Sequence, residues 1–159
     1  MGILTAFIFT IQLISFPVAG GTSVHLIGTI LVFYLTGPFS TIIIISSALL
    51  FQALLFQHGG ILTFGANIFN MGIIPVLWGI LLRRWKLTGA VLSAFLGSIT
   101  GAFFCGLELY ISKTISNFSG IYMMILAHIP EGIIESFFTF IVIKLIYKIK
   151  PEICKIEKV

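Results

Sequence analysis

The sequence predicts an all-α membrane protein: a polytopic bundle of about six transmembrane helices in a single domain over residues 1–159. Three observations carry the prediction. No Asp, Glu, Lys or Arg occurs between Met1 and Leu82, a length over which a domain facing water needs surface charge. Of the residues, 58% are hydrophobic and 9% charged, with a mean hydropathy of +1.18, the composition of a chain whose solvent is lipid. The apolar runs approach the roughly 20 residues that cross a hydrocarbon core, and only Gly, Pro and small polar residues divide them. That spacing leaves no separate soluble domain.

Punctuation places the helices. The first covers residues 3–16 and is stopped by Pro17 and the Gly20–Gly21 pair. The second covers 23–35, with Thr22 or Ser23 as its N-cap. Both are short for full spans. A third follows Gly37 over 38–56, and Gly59–Gly60 separates it from a fourth over 61–82, interrupted near its start by Gly65, Asn67 and Asn70. Residues 87–111 and 121–147 make the fifth and sixth, and 148–159 form a short cytoplasmic tail.

Basic residues gather at Arg83, Arg84 and Lys86, and again at Lys144, Lys148, Lys150, Lys155 and Lys158, so both places are expected on the cytoplasmic side. Counting back puts 57–60 outside, Thr36–Gly37 inside, 17–22 outside and Met1 inside. His25 and His58 then share the outward face. The start of the chain lacks the positive residues of a signal peptide, so the first helix is expected to stay. A net charge of +4 in this arrangement serves topology, and no basic stripe interleaved with aromatics points to nucleic acid. Cys105 and Cys154 have neither metal-site spacing nor a disulfide framework; both read as structural, Cys105 buried and Cys154 in the cytoplasmic tail.

A bilayer makes every polar side chain expensive, which singles out Gln12, His25, Gln52, His58, Asn67 and Asn70. Lone histidines in apolar helices are usually packing residues, but two on one face beside glycine turns stand as candidate ligands. Asn67 and Asn70 are three apart on one helical face, placed either to order a loop above a site or to satisfy broken backbone near Gly65. The acids at membrane depth are Glu108, Glu131 and Glu135. The last two share a face with His128; neutralisation, a hydrogen bond to His128 or a place at the interface would each relieve them, and none is required to touch metal. Gly89, Ser93, Gly97 and Gly101, flanked by Ala90, Ala94, Ser98 and Ala102, form a ladder of small residues suited to close helix packing, inside this bundle or against another membrane subunit.

Two strings are specific: 16–28, with Gly20-Gly21-Thr22-Ser23-Val24-His25, and 52–71, with Gly65-Ala66-Asn67-Ile68-Phe69-Asn70-Met71. Together they resemble the CbiM/NikM family, the substrate-capturing S components of energy-coupling-factor (ECF) transporters for cobalt and nickel. Thr36-Gly37-Pro38, Cys105-Gly106-Leu107-Glu108-Leu109, His128-Ile129-Pro130 with Glu135, and Lys148-Ile149-Lys150-Pro151-Glu152 are similar to further family segments, so the likeness runs from end to end. It implies an ECF S-component-like bundle and an outward site where nitrogens hold the ion in a roughly planar array: an N-terminal amine, the backbone nitrogen and imidazole of a second-position histidine, and the imidazole at the place of His25. Imidazole and amide nitrogen suit nickel and cobalt. His58 stands as an auxiliary ligand or waypoint, and Gln52, Asn67, Asn70, Glu108, His128 and Glu135 as pocket or supporting residues.

The chain opens Met1-Gly2-Ile3, inside what would be the family's second helix and without its Met-His-Ile start. The expectation is a truncated reading frame, with a segment supplied by another polypeptide or a lost metal site as the alternatives. No phosphate loop of the G-x-x-x-x-G-K-[ST] type is present, so ATP has to be used by partners. The resemblance implies a transmembrane coupling subunit, ATPase subunits and, as a further candidate, a small accessory membrane subunit. An intramembrane metalloenzyme using His25, His58, His128 and Glu131 lacks an H-E-x-x-H motif; no enzyme and no resident cofactor are expected, the transported ion being cobalt or nickel. The remaining alternative is a vestigial or structural membrane subunit that no longer binds metal by itself.

Overall fold

A computed structural model describes residues 1–18, 22–56 and 60–154. Helix α1 (Gly2–Gln12) leads into a two-stranded antiparallel hairpin, β1 (Ser15–Val18) and β2 (Thr22–His25), in which Ser15 pairs with His25 and Pro17 with Ser23. Helices α2 (Thr29–Thr36) and α3 (Pro38–Leu55) follow, with Gly37 at the corner between them. A short α4 (Phe64–Asn67) passes through a π-helical stretch, Ile68–Ile73, into α5 (Ile74–Leu82). A 3₁₀ turn at Arg83–Trp85 reverses the chain into α6 (Lys86–Ile111), and α7 (Ser119–Ile149) runs back along it.

The helical runs fall where punctuation places them, with one correction of substance. Residues 15–18 and 22–25, expected to end one helix and begin the next, pair as strands instead. Pro17 cannot donate a helical hydrogen bond, and the β-branched Thr22 and Val24 suit a strand. Helix α2 starts only at Thr29, because its N-cap, Gly28, has φ +73°, a left-handed turn that glycine tolerates. An added Cβ there would lie 2.5 Å from the Ile8 side chain.

Short as it is, α2 is the centre of the molecule. All its residues from Thr29 to Tyr34 are buried, as expected of a helix that is apolar all round. Ile30, Leu31, Phe33 and Tyr34 pack with Val76, Ala94 and Ile143 in one cluster, while Val32 joins Ile8, Ile44, Ile45 and Ala48 in another. Cys154, expected in a cytoplasmic tail, is 2% exposed and belongs to the first cluster. The 3₁₀ turn at Pro151–Ile153 folds the chain back there. Cys105, expected buried, is half-buried.

The small-residue ladder of α6 faces inward. Gly89, Ala90, Ser93, Ala94, Gly97, Ser98, Gly101 and Ala102 are all buried, and α6 packs chiefly on α7 and α5. By contrast the outer surface is apolar: Ile3, Phe39, Leu55, Leu62, Ile111 and Phe137 are all exposed, the inverse of a water-facing protein. Pro38–Leu55 and the stretch Phe64–Ile111 are long and apolar enough to cross a membrane. At 11 and 8 residues, α1 and α2 fall short of a full span.

Candidate functional site

Where β2 runs into α2, polar side chains from α1 and α7 converge on residues 27–28, with a third from α3 behind them. Glu135 of α7, 2% exposed, accepts from the Ile27 amide at 2.9 Å and the Gly28 amide at 2.7 Å, one oxygen to each. These are orphan donors at the start of α2, which no helical carbonyl can satisfy. A carboxyl group there also meets the positive end of the helix dipole. On the other side Gln12 donates to the Ile27 carbonyl at 2.8 Å, and Gln52 donates to the Gln12 Oε1 at 2.8 Å. The segment carrying His25 is thus clamped through both polar groups of one peptide residue.

His25 ends β2, half-buried, with Nδ1 3.2 Å from the Leu26 carbonyl. A carbonyl can only accept, so Nδ1 carries the hydrogen and Nε2 of the neutral ring carries the lone pair. His128 repeats the arrangement, its Nδ1 lying 2.8 Å from the Met124 carbonyl one turn earlier on α7. Histidines that ligate metals typically donate their other ring N–H to such a carbonyl. His25, His128 and Glu131 line one cavity of about 70 Å³ together with Met71 and Ile27.

Glu131 is 3% exposed. Its Oε1 accepts from Ser98 at 3.3 Å, and its Oε2 is buried with no partner among the described residues. Neither α7 glutamate takes its hydrogen bond from His128, as the sequence had allowed: one goes to Ser98 and the other to α2. An adjoining cavity of about 100 Å³ shares His128, Met71 and Ile27, and adds Asn67, Asn70 and Cys105.

Asn67 and Asn70 line that second cavity but bond in different directions. Asn67 donates to Thr63 at 3.3 Å, whereas Asn70, inside the π-helical stretch, donates to Glu108 at 2.9 Å. The π stretch is held from two sides. Thr29 donates to the Met71 carbonyl at 2.6 Å, and Gly101 lets the Asn70 carbonyl approach so closely that a Cβ there would lie 2.6 Å from it. π-helical turns of this kind recur at functional sites.

Of the residues marked in the sequence, His25, His128, Asn67 and Asn70 face the two cavities; Gln52 and Glu135 lie behind them as supports, and Glu108 is reached through Asn70. His58 lies outside the described residues. Ser98 and Thr29 were not singled out as polar partners, since one hides in the small-residue ladder and the other looks like an ordinary helix start. A larger cavity of about 520 Å³ between α1 and α3, walled by Phe9, Ile43, Phe51 and Leu55, is an apolar groove far from this chemistry. Among the described residues, no three His, Cys, Asp or Glu side chains group closely enough to hold a metal ion.

Comparison with known proteins identifies the family of the chain. Residues 1–153 match the family model described as CbiM, cobalt uptake substrate-specific transmembrane region. The putative fused nickel transport protein NikMN of Archaeoglobus fulgidus is 30% identical over 159 residues, covering 96% of this chain and 54% of that protein. The putative cobalt transport protein CbiM 2 of Methanocorpusculum labreanum is 33% identical, with 98% of this chain and 73% of that one covered. A crystal structure of a transition metal transporter superposes with a TM-score of 0.83 at 32% identity, over 94% of this chain and 75% of that one. The chain spans about half the length of the fused relative.

Proposed function

Since the chain belongs to the CbiM family of cobalt and nickel transport components, we propose that it is the membrane substrate-binding subunit of an ATP-driven uptake transporter. The cargo is cobalt or nickel, and His25 is the ligand this chain contributes. The observation that carries the reading is the clamp on residues 27–28: Glu135, Gln12 and Gln52 spend buried hydrogen bonds on fixing the backbone beside one histidine. Such bonds are costly to arrange in an apolar bundle, and preorganising a ligand is what that cost returns.

In this reading six helices form a membrane bundle, with Met1 and the C-terminus on the cytoplasmic side and His25 near the outer mouth. A nitrogen-rich set completed by a neighbouring Met-His-Ile segment favours nickel and cobalt over ions that prefer octahedral oxygen. A coupling subunit and ATPase subunits supply the energy and the chain itself performs no covalent chemistry. With the α6 ladder buried, the outer face of α1 is the contact surface left for a partner, small accessory subunit included.

Isothermal titration of the purified chain with nickel and cobalt, with and without a synthetic Met-His-Ile helix, tests this. Peptide-dependent binding that falls at least tenfold in His25→Ala supports it. Undetectable binding under both conditions favours the structural-subunit alternative, for which the absence of a three-ligand group among the described residues is the supporting observation.

A further inference from the structure

Glu131 poses a problem that capture at His25 leaves unsolved. Its carboxyl group is almost wholly buried, one oxygen has no partner among the described residues, and it lines a cavity with two imidazoles. An unpaired polar atom in such surroundings costs on the order of 1–3 kcal/mol. Ionisable residues inside a membrane bundle mark the paths of ions. Three positions earlier on the same face of α7, His128 has its Nδ1 tied to the Met124 carbonyl, which turns the lone pair of the neutral ring onto Nε2.

Building on the assignment of His25 as a metal ligand, we propose that His128 and Glu131 form a second, weaker station for the same divalent cation, deeper in the bundle, which the ion occupies on leaving His25. Two protein ligands are too few to trap a transition metal, but the cavity of about 70 Å³ has room for a few water molecules to complete the coordination. Weakness is the useful property: an ion in transit must bind well enough to enter a site and loosely enough to leave it. Beyond the station the polar oxygens continue. His128 also walls the neighbouring cavity, where Asn70 holds a buried Oδ1 with no partner among the described residues and bonds Glu108.

Cobalt titration of the purified chain reads the station directly. His128→Cys is expected to give a thiolate-to-cobalt charge-transfer band in the near ultraviolet that the parent chain, with Cys105 and Cys154, does not show. Adding Glu131→Gln should weaken it at least tenfold, and His25→Ala should leave it in place. If His25→Ala leaves tight cobalt binding in the presence of the Met-His-Ile peptide at the parent level, the capture reading fails while the band still judges the station. A second measurement keeps His128: the chain has three histidines, and in the ¹⁵N-histidine-labelled His25→Ala chain, where the capture ligand is gone, saturating cobalt should broaden the His128 ring signals. No band in a correctly folded His128→Cys chain, or an unbroadened His128 ring in the His25→Ala chain, overturns the proposal.

Discussion

The entry to α2 and the interface between α5 and α6 both hold backbone together where water is scarce, and they do so by opposite means. At α2 the work falls to polar side chains: Glu135 and Gln12 reach the peptide groups of residues 27 and 28 from two other helices, and Gln52 holds Gln12 from a third. At α5–α6 it falls to the absence of side chains. Gly97 lies against Pro75, and one turn on Gly101 lies against the Asn70 carbonyl of the π-helical stretch that leads into α5, so that a Cβ would come within 2.9 Å and 2.6 Å. Close packing between helices is the general solution in a membrane, where lipid offers no hydrophobic drive for association. Buried hydrogen bonds belong where one particular conformation has to be held, and here that conformation presents His25. The scaffold is packed and the site is tied.

Glu135→Ala should have the largest effect, because it strands two buried N–H donors at about 1–3 kcal/mol each. A loss of about 2–6 kcal/mol is expected in unfolding titrations, with hydrogen exchange at the Ile27 and Gly28 amides accelerated well beyond the rest of α2. Equal exchange in parent and variant would mean that the clamp is not what holds the site. Next comes Gly97→Val, which overpacks the α5–α6 contact at Pro75 and should cost about 1–3 kcal/mol. If the comparison is right, that variant lowers the thermal midpoint in detergent while cobalt affinity, measured below the transition, changes less than in Glu135→Ala.

A smaller effect is expected from Gln12→Leu, which frees the Ile27 carbonyl and Gln52 at once. About 1–2 kcal/mol should be lost, with metal affinity falling alongside stability. Thr139→Val sharpens the contrast from the other end. The Thr139 hydroxyl is buried without a partner among the described residues, so a methyl group in its place should be neutral or stabilising by up to about 1 kcal/mol. A clear loss of stability on calorimetry would show that this hydroxyl has a partner role the fold does not yet account for.

Much of the site was legible from single residues. A polar side chain in a long apolar run declares itself, which is why Gln52, His128, Asn70 and Glu135 could be marked without knowing their partners. The pairings were not legible. Glu135 lies 108 residues from Ile27, and no local pattern says that its carboxyl group caps another helix instead of meeting His128, its neighbour on α7. The pairing of 15–18 with 22–25 was missed because apolar and β-branched residues beside proline and glycine read equally well as frayed helix ends. Only the β1–β2 pairing, with Gly28 in its left-handed turn, distinguishes the two.

Composition alone decided the solvent, the helical class and the rough position of each helix, because burying unpaired backbone in lipid leaves a chain little choice but to bond within itself. Family membership was likewise written in two short strings of residues. Tertiary structure decided which polar groups meet: that α2 is the hub, that the small-residue ladder turns inward, and that His25, His128 and Glu131 share one cavity. Those are contacts between segments distant along the chain, and their geometry is set by the packing of whole helices, which no single stretch of sequence contains.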